Sequence, residues 1–80
     1  MHYTDTQARD LGHAHGYAAA NYAANVSGED LDLLAPARTR PSRLTPRLAM
    51  FYDDGFDNGI DAFKLDDDLA AWREDALAEV

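Results

Sequence analysis

No cysteine occurs among the 80 residues, which excludes disulfide staples and thiolate nucleophiles and leaves packing alone to hold the fold. The three prolines are confined to positions 36, 41 and 46, so long stretches on either side are free of helix breakers. No apolar run approaches the ~18 residues of a membrane span, and no basic-led apolar segment of signal-peptide type opens the chain. Neither membrane insertion nor secretion is expected, and the expected location is the cytoplasm. Large apolar residues are also scarce, because 15 alanines account for much of the 46% hydrophobic content. One domain spanning residues 1–80 is the expectation, with a thin core, and a homodimer is an open route to further burial.

Against this spare composition, four of the five glycines fall into two Gly-x-x-x-Gly cassettes, Gly12/Gly16 and Gly55/Gly59, set 43 positions apart. A helix-interior glycine is about 1 kcal/mol worse than alanine, so four cost about 4 kcal/mol against a total stability of about 5–15 kcal/mol. Glycines at i and i+4 share a helix face and leave a groove without side chains. The expectation is an all-α bundle of two long helices crossing at these grooves, plus one short and one C-terminal helix.

Local signals place the elements. Thr4 and Gln7 form a capping box opening a helix from 5 to about 25, in which Ala8, Gly12, Gly16, Ala20 and Ala24 recur every four residues. Leu11, His15, Ala18 and Tyr22 flank this seam and are expected to face the partner helix. Ser27 and Asp30 cap an expected short helix over 29–34, with Leu31 and Leu34 closing the bundle's end. Residues 36–46 form an arginine- and proline-rich connector holding Arg38, Arg40 and Arg43, with Arg47 just beyond. Thr45-Pro46 then reads as an N-cap and first turn of a helix to about 63, its apolar face built from Leu48, Phe51, Tyr52, Phe56, Ile60 and Phe63. Asp66 is expected to cap a separate last helix whose buried stripe is Leu65, Leu69, Trp72, Ala76 and Val80.

Charge is polarised. Residues 53–80 hold ten acids against Lys64 and Arg73, while residues 1–52 balance, so the whole net charge of −8 belongs to the last 28 residues. Asp53, Asp57 and Asp61 stand at i, i+4 and i+8, about 6 Å apart along one helical stripe, where like charges repel by a few tenths of a kcal/mol each. Such a stripe suits either a solvated face or a basic partner, such as the nucleic-acid groove of another protein. Direct DNA binding is not expected of so acidic a chain. An internal tether onto the acidic helices is the expected use of the connector arginines, although four guanidiniums on a loop would also suit phosphates.

Catalytic and metal patterns fail. There is no phosphate loop and no Gly-rich strand-to-helix turn. Residues 54–65 have Gly59 at the sixth position of a calcium loop, but Phe56 and Leu65 occupy its third and twelfth, where oxygen ligands are required. His13 and His15 point roughly 200° apart on a helix and cannot share a metal; His15 reads as a hydrogen-bonded core residue. The expectation is no catalytic residue, no metal, no cofactor and no enzyme activity.

Two resemblances follow from these residues. Gly16-Tyr17-Ala18-Ala19-Ala20 and Gly55-Phe56 resemble the Gly-aromatic helical motifs of ribosome modulation factors, small two-helix proteins that bind the ribosome. That likeness implies a helix pair and ribosome association, although those factors are basic and this chain is acidic. In size, acidity and lack of catalytic motif the chain is also similar in type to small inhibitors of phages and mobile elements, including anti-CRISPR and anti-restriction proteins. This likeness implies stoichiometric binding. The acidic face of Asp53, Asp54, Asp57 and Asp61 would occupy a nucleic-acid-binding protein's groove, with Tyr52, Phe56 or Trp72 as anchors where exposed.

Overall fold

A computed structural model describes the backbone of residues 3–78 and the side chains of residues 3–70. Two α-helices dominate, α1 over Asp5–Tyr22 and α2 over Pro46–Ala78, and there is no strand among the described residues. Thr4 caps α1 through the reciprocal box: its hydroxyl accepts from the Gln7 amide at 3.1 Å, and its own amide donates to Gln7 Oε1 at 2.9 Å. Thr45 caps α2 by accepting from the Leu48 amide at 3.2 Å, with Pro46 as the first helical residue.

The helix count differs from the sequence expectation. The separate C-terminal helix does not exist, because α2 runs unbroken for 33 residues. Residues 60–78 contain neither Pro nor Gly, so nothing stops the helix at Asp66, which lies in its interior. The expected short helix over 29–34 is a single 3₁₀ turn, Leu31–Leu33, capped by Asp30 accepting from the Asp32 amide at 3.0 Å. In the connector, Pro36–Arg38 forms a second 3₁₀ turn.

At its C-terminal end α1 widens into a π-helical turn, Ala23–Ser27. Asn25 Nδ2 donates to the Asn21 carbonyl at 3.0 Å, taking the acceptor that the Asn25 amide would use in an α-helix. Gly28 then reverses the chain with φ 70°, a left-handed conformation that glycine adopts without penalty.

α1 and α2 run in the same direction. Asp5 meets Arg47, Arg9 meets Asp54, His13 lies beside Gly59, and Tyr17 reaches Phe63 and Asp66. A parallel pair in one chain needs a return segment. Residues 28–45 supply it, and their extended reach of up to roughly 60 Å exceeds the length of the helix they run beside. That segment seals one side of the pair, with Leu31, Leu34 and Leu44 packed on a core of Ala20, Tyr52, Phe56, Ile60 and Phe63.

The four cassette glycines face the opposite backbone. A Cβ would stand 2.9 Å from the Tyr52 carbonyl carbon at Gly12, and 2.8 Å from that of Phe56 at Gly16. It would stand 2.9 Å from the Arg9 carbonyl carbon at Gly55, and 2.8 Å from the Tyr17 nitrogen at Gly59. Ala8 and Ala20 are buried on the same face of α1, but Ala24 is exposed and Ala23 buried instead. At 3.6 residues per turn, steps of four drift by about 40° each; Ala24 has turned about 80° away from Gly16, whereas Ala23 lies within about 20° of it. Tyr22, expected against the partner helix, is 59% exposed.

Candidate functional site

The acidic face lies on α2 and is divided by the same helical drift. Asp53 turns toward the return segment, where Arg40 clasps it with Nη2 at 2.6 and 2.7 Å from the two carboxylate oxygens and Nε at 3.1 Å. Each following step of four rotates about 40° further, so Asp57 and Asp61 come out on the solvent side and are exposed. Neither forms an ion pair with a basic side chain among the described residues. Asp54 is exposed and stands 3.5 Å from Arg9, whose guanidinium also lies 5.0 Å from the centre of the Phe51 ring.

Tyr52 and Phe56 cannot anchor a partner. Their relative exposures are 0% and 1%, and they form the centre of the core. Both fall on the arc of α2 closed by the return segment. The Tyr52 hydroxyl is held between His15 Nδ1 and Thr39 Oγ1, each at 2.6 Å, so one buried phenol ties α1, the return segment and α2 together. Burial pushes the Tyr52 phenol above its ordinary range and the Asp53 carboxylate adds to this, while the Thr39 hydrogen bond and Arg40 pull it down. Trp72, the third candidate anchor, lies outside the described side chains.

The connector arginines are largely engaged within the protein. Besides Arg40 on Asp53, Arg38 lies 3.4 Å from Glu29 and Arg47 2.8 Å from Asp5. Lys64 stands 3.5 Å from Asp32, joining α2 to the return segment. Arg43 is exposed and forms no ion pair among the described residues.

Comparison with known protein families, curated proteins and solved structures found no match. What the face can do chemically therefore rests on its own geometry. It presents carboxylates at helical spacing beside an enclosed core, a surface for contacting cationic groups. Among the described residues no group of three or more His, Asp or Glu is placed to hold a metal, and no helix is long and apolar enough to cross a membrane.

Sequence reasoning missed two features of this surface. Tyr17 Oη donates to Asp66 Oδ2 at 2.8 Å, a bridge between residues 49 apart that depends on the parallel register of the helices. Leu65 and Leu69, expected to be buried, are 61% and 46% exposed. A sequence signal for the second did exist: Asp66, Asp67 and Asp68 fill the interval between these leucines.

Proposed function

We propose that this protein is a non-enzymatic, stoichiometric binding protein whose acidic α2 face occupies the nucleic-acid-binding surface of a partner, such as a CRISPR or restriction effector. The observation that carries the reading is the outward placement of Asp57 and Asp61, one turn apart and without an ion-pair partner among the described residues. Carboxylates kept for folding are paired, as Asp53 is with Arg40. These two are left available to a basic groove that expects regularly spaced negative charge. The paired glycine cassettes serve as the helix-crossing seam that supports this face. The protein would act in the cytoplasm and would not itself grip DNA.

The test is capture of partners from a nuclease-treated host lysate by wild type and by the Asp57→Asn/Asp61→Asn double variant, which leaves the Arg40–Asp53 pair intact. A nucleic-acid-binding effector retained by wild type and lost by the variant supports the reading. Equal retention by both overturns it. Ribosomes retained by both would put the ribosome-modulation-factor likeness in its place, a reading against which the internal engagement of Arg38, Arg40 and Arg47 weighs.

A further inference from the structure

The end of α2 is built differently from the rest of the molecule. The longest dimension of the protein, 53 Å, matches the roughly 50 Å length expected of a 33-residue helix, so α2 itself spans the molecule. Cover from the return segment reaches as far as Lys64, tied to Asp32, and the Tyr17–Asp66 hydrogen bond is the next tie along α2. Around and beyond these ties Leu65 and Leu69 stand exposed at one-turn spacing, with exposed Asp67 and Asp68 between them. In sequence the pattern continues, since residues 65–80 hold six acids against the single Arg73 and carry Trp72, Ala76 and Val80 at helical spacing from the leucines.

We infer that this acidic, leucine-bearing arm of α2 is a docking element for a basic amphipathic helix of a partner protein, with Leu65 and Leu69 as its apolar contacts. Charge decides the occupant. A second copy of the chain would bring one such acidic arm against another, whereas lysines or arginines flanking an apolar stripe complement it. The same chain supplies an internal contrast. Tyr22 and Val26 precede Leu65 and Leu69 by the 43 positions that separate the glycine cassettes, and both are exposed, at 59% and 66%. Between that pair stand Ala23, Ala24 and Asn25, in place of Asp66, Asp67 and Asp68. Apolar exposure is thus common to both helices, and the carboxylates single out α2.

This inference rests on the proposed binding role but assigns it a second surface, so it is tested with a defined probe. The probe is a synthetic helical peptide with leucines on one face and lysines on the other, compared by calorimetry with a counterpart carrying glutamates for lysines. Wild type is expected to bind the lysine peptide and not the glutamate one. Leu65→Ser/Leu69→Ser should weaken binding at least about tenfold, which is about 1.4 kcal/mol. Asp68→Asn should weaken it and reduce its salt dependence. Val26→Ser should leave it unchanged. Circular dichroism checks that each variant keeps its helices, as substitution at exposed positions should allow. Binding unaffected by the leucine changes would reduce the effect to bulk charge and overturn the inference, as would absence of binding. Sedimentation showing a wild-type dimer abolished by Leu65→Ser/Leu69→Ser would make a second copy the occupant and also overturn it. A lysate partner that requires Asp57 and Asp61 but is retained by Leu65→Ser/Leu69→Ser would remove the arm while leaving the proposed function in place.

Discussion

Gly16 lies against the carbonyl of Phe56, and 43 positions on from Gly16, Gly59 lies against the carbonyl of His13, 43 positions back from Phe56. Gly12 on the Tyr52 carbonyl and Gly55 on the Arg9 carbonyl are related in the same way. Each cassette therefore meets the other in equivalent fashion, as in a parallel two-fold pair, although both belong to one chain. The glycine Cα–H groups point at carbonyl oxygens, a weak contact that only backbones this close can make.

Substituting alanine at these positions should reverse the usual propensity order. Helix propensity favours Gly→Ala by about 1 kcal/mol, but here the new methyl meets backbone that cannot move aside as a side-chain tip would. Overpacking of this kind costs typically about 1–3 kcal/mol, and a net loss of stability is expected at Gly12, Gly16, Gly55 and Gly59. Urea unfolding of the four variants checks it. An increase in stability at Gly16→Ala would show that the helices do not approach this closely.

Tyr52→Phe keeps the ring and removes the hydroxyl shared by His15 and Thr39. Leaving partly buried polar groups without a partner costs about 1–3 kcal/mol. Phe56→Ala, which empties the core centre, should cost more, about 3–5 kcal/mol. The order of the two denaturation midpoints is the observable. Nitrogen chemical shifts of the His15 ring should move in Tyr52→Phe and stay nearly unchanged in a distant variant such as Asp57→Asn.

Arg40 and Arg43 separate tethering from mere positive charge. The Arg40–Asp53 pair is two-pronged and about two-thirds covered, with side chains 33% and 37% exposed. Arg40→Ala should cost about 1 kcal/mol, less at high salt, and should increase amide exchange around Thr39. Arg43→Ala should change neither stability nor exchange. Equal effects of the two would mean that the return segment is not held by this pair.

Alkaline pH should loosen the fold through two phenols. Hydrogen bonding to Asp66, then burial and the Asp66 charge, raises the Tyr17 phenol above its ordinary value of 10.0, and burial first raises that of Tyr52. A group whose folded-state pKa is raised stabilises the fold fully below its unfolded value and loses that contribution as pH rises through the folded one. Stability should thus hold below about pH 10 with respect to these groups and fall above it. Absorbance titration of ionised tyrosine should show the two late-titrating phenols, and Tyr17→Phe and Tyr52→Phe should each remove one. Wild-type phenols all titrating together near 10 would contradict both environments.

Much of the local structure was legible in the residues. Thr4-x-x-Gln7 and Thr45-Pro46 start the two helices because capping is a matter of neighbouring backbone and side-chain atoms. His15 was readable as a hydrogen-bonded residue from its place beside the small-residue face, although its partner was not. Errors came where tertiary contact decides. Asp66 looked like an N-cap because acids favour first turns, yet no Pro or Gly interrupts residues 60–78, so the helix runs on through it and Tyr17 of α1 donates to its carboxylate. Tyr52 and Phe56 were legible as part of the apolar face and as anchors only where exposed; the return segment folds over that side of α2 and leaves them buried.

Composition, helical spacing and capping chemistry by themselves determined that the chain is all-α, that its glycines cluster on helix faces and that its charge gathers toward the C-terminus, since all of these depend on residues near one another in sequence. Only the tertiary structure decided that the helices run parallel, that Arg40 takes Asp53 while Asp57 and Asp61 face solvent, and that Leu65 and Leu69 stay uncovered. These outcomes depend on which arc of α2 the return segment covers, a relation between atoms far apart in the chain that no local pattern encodes.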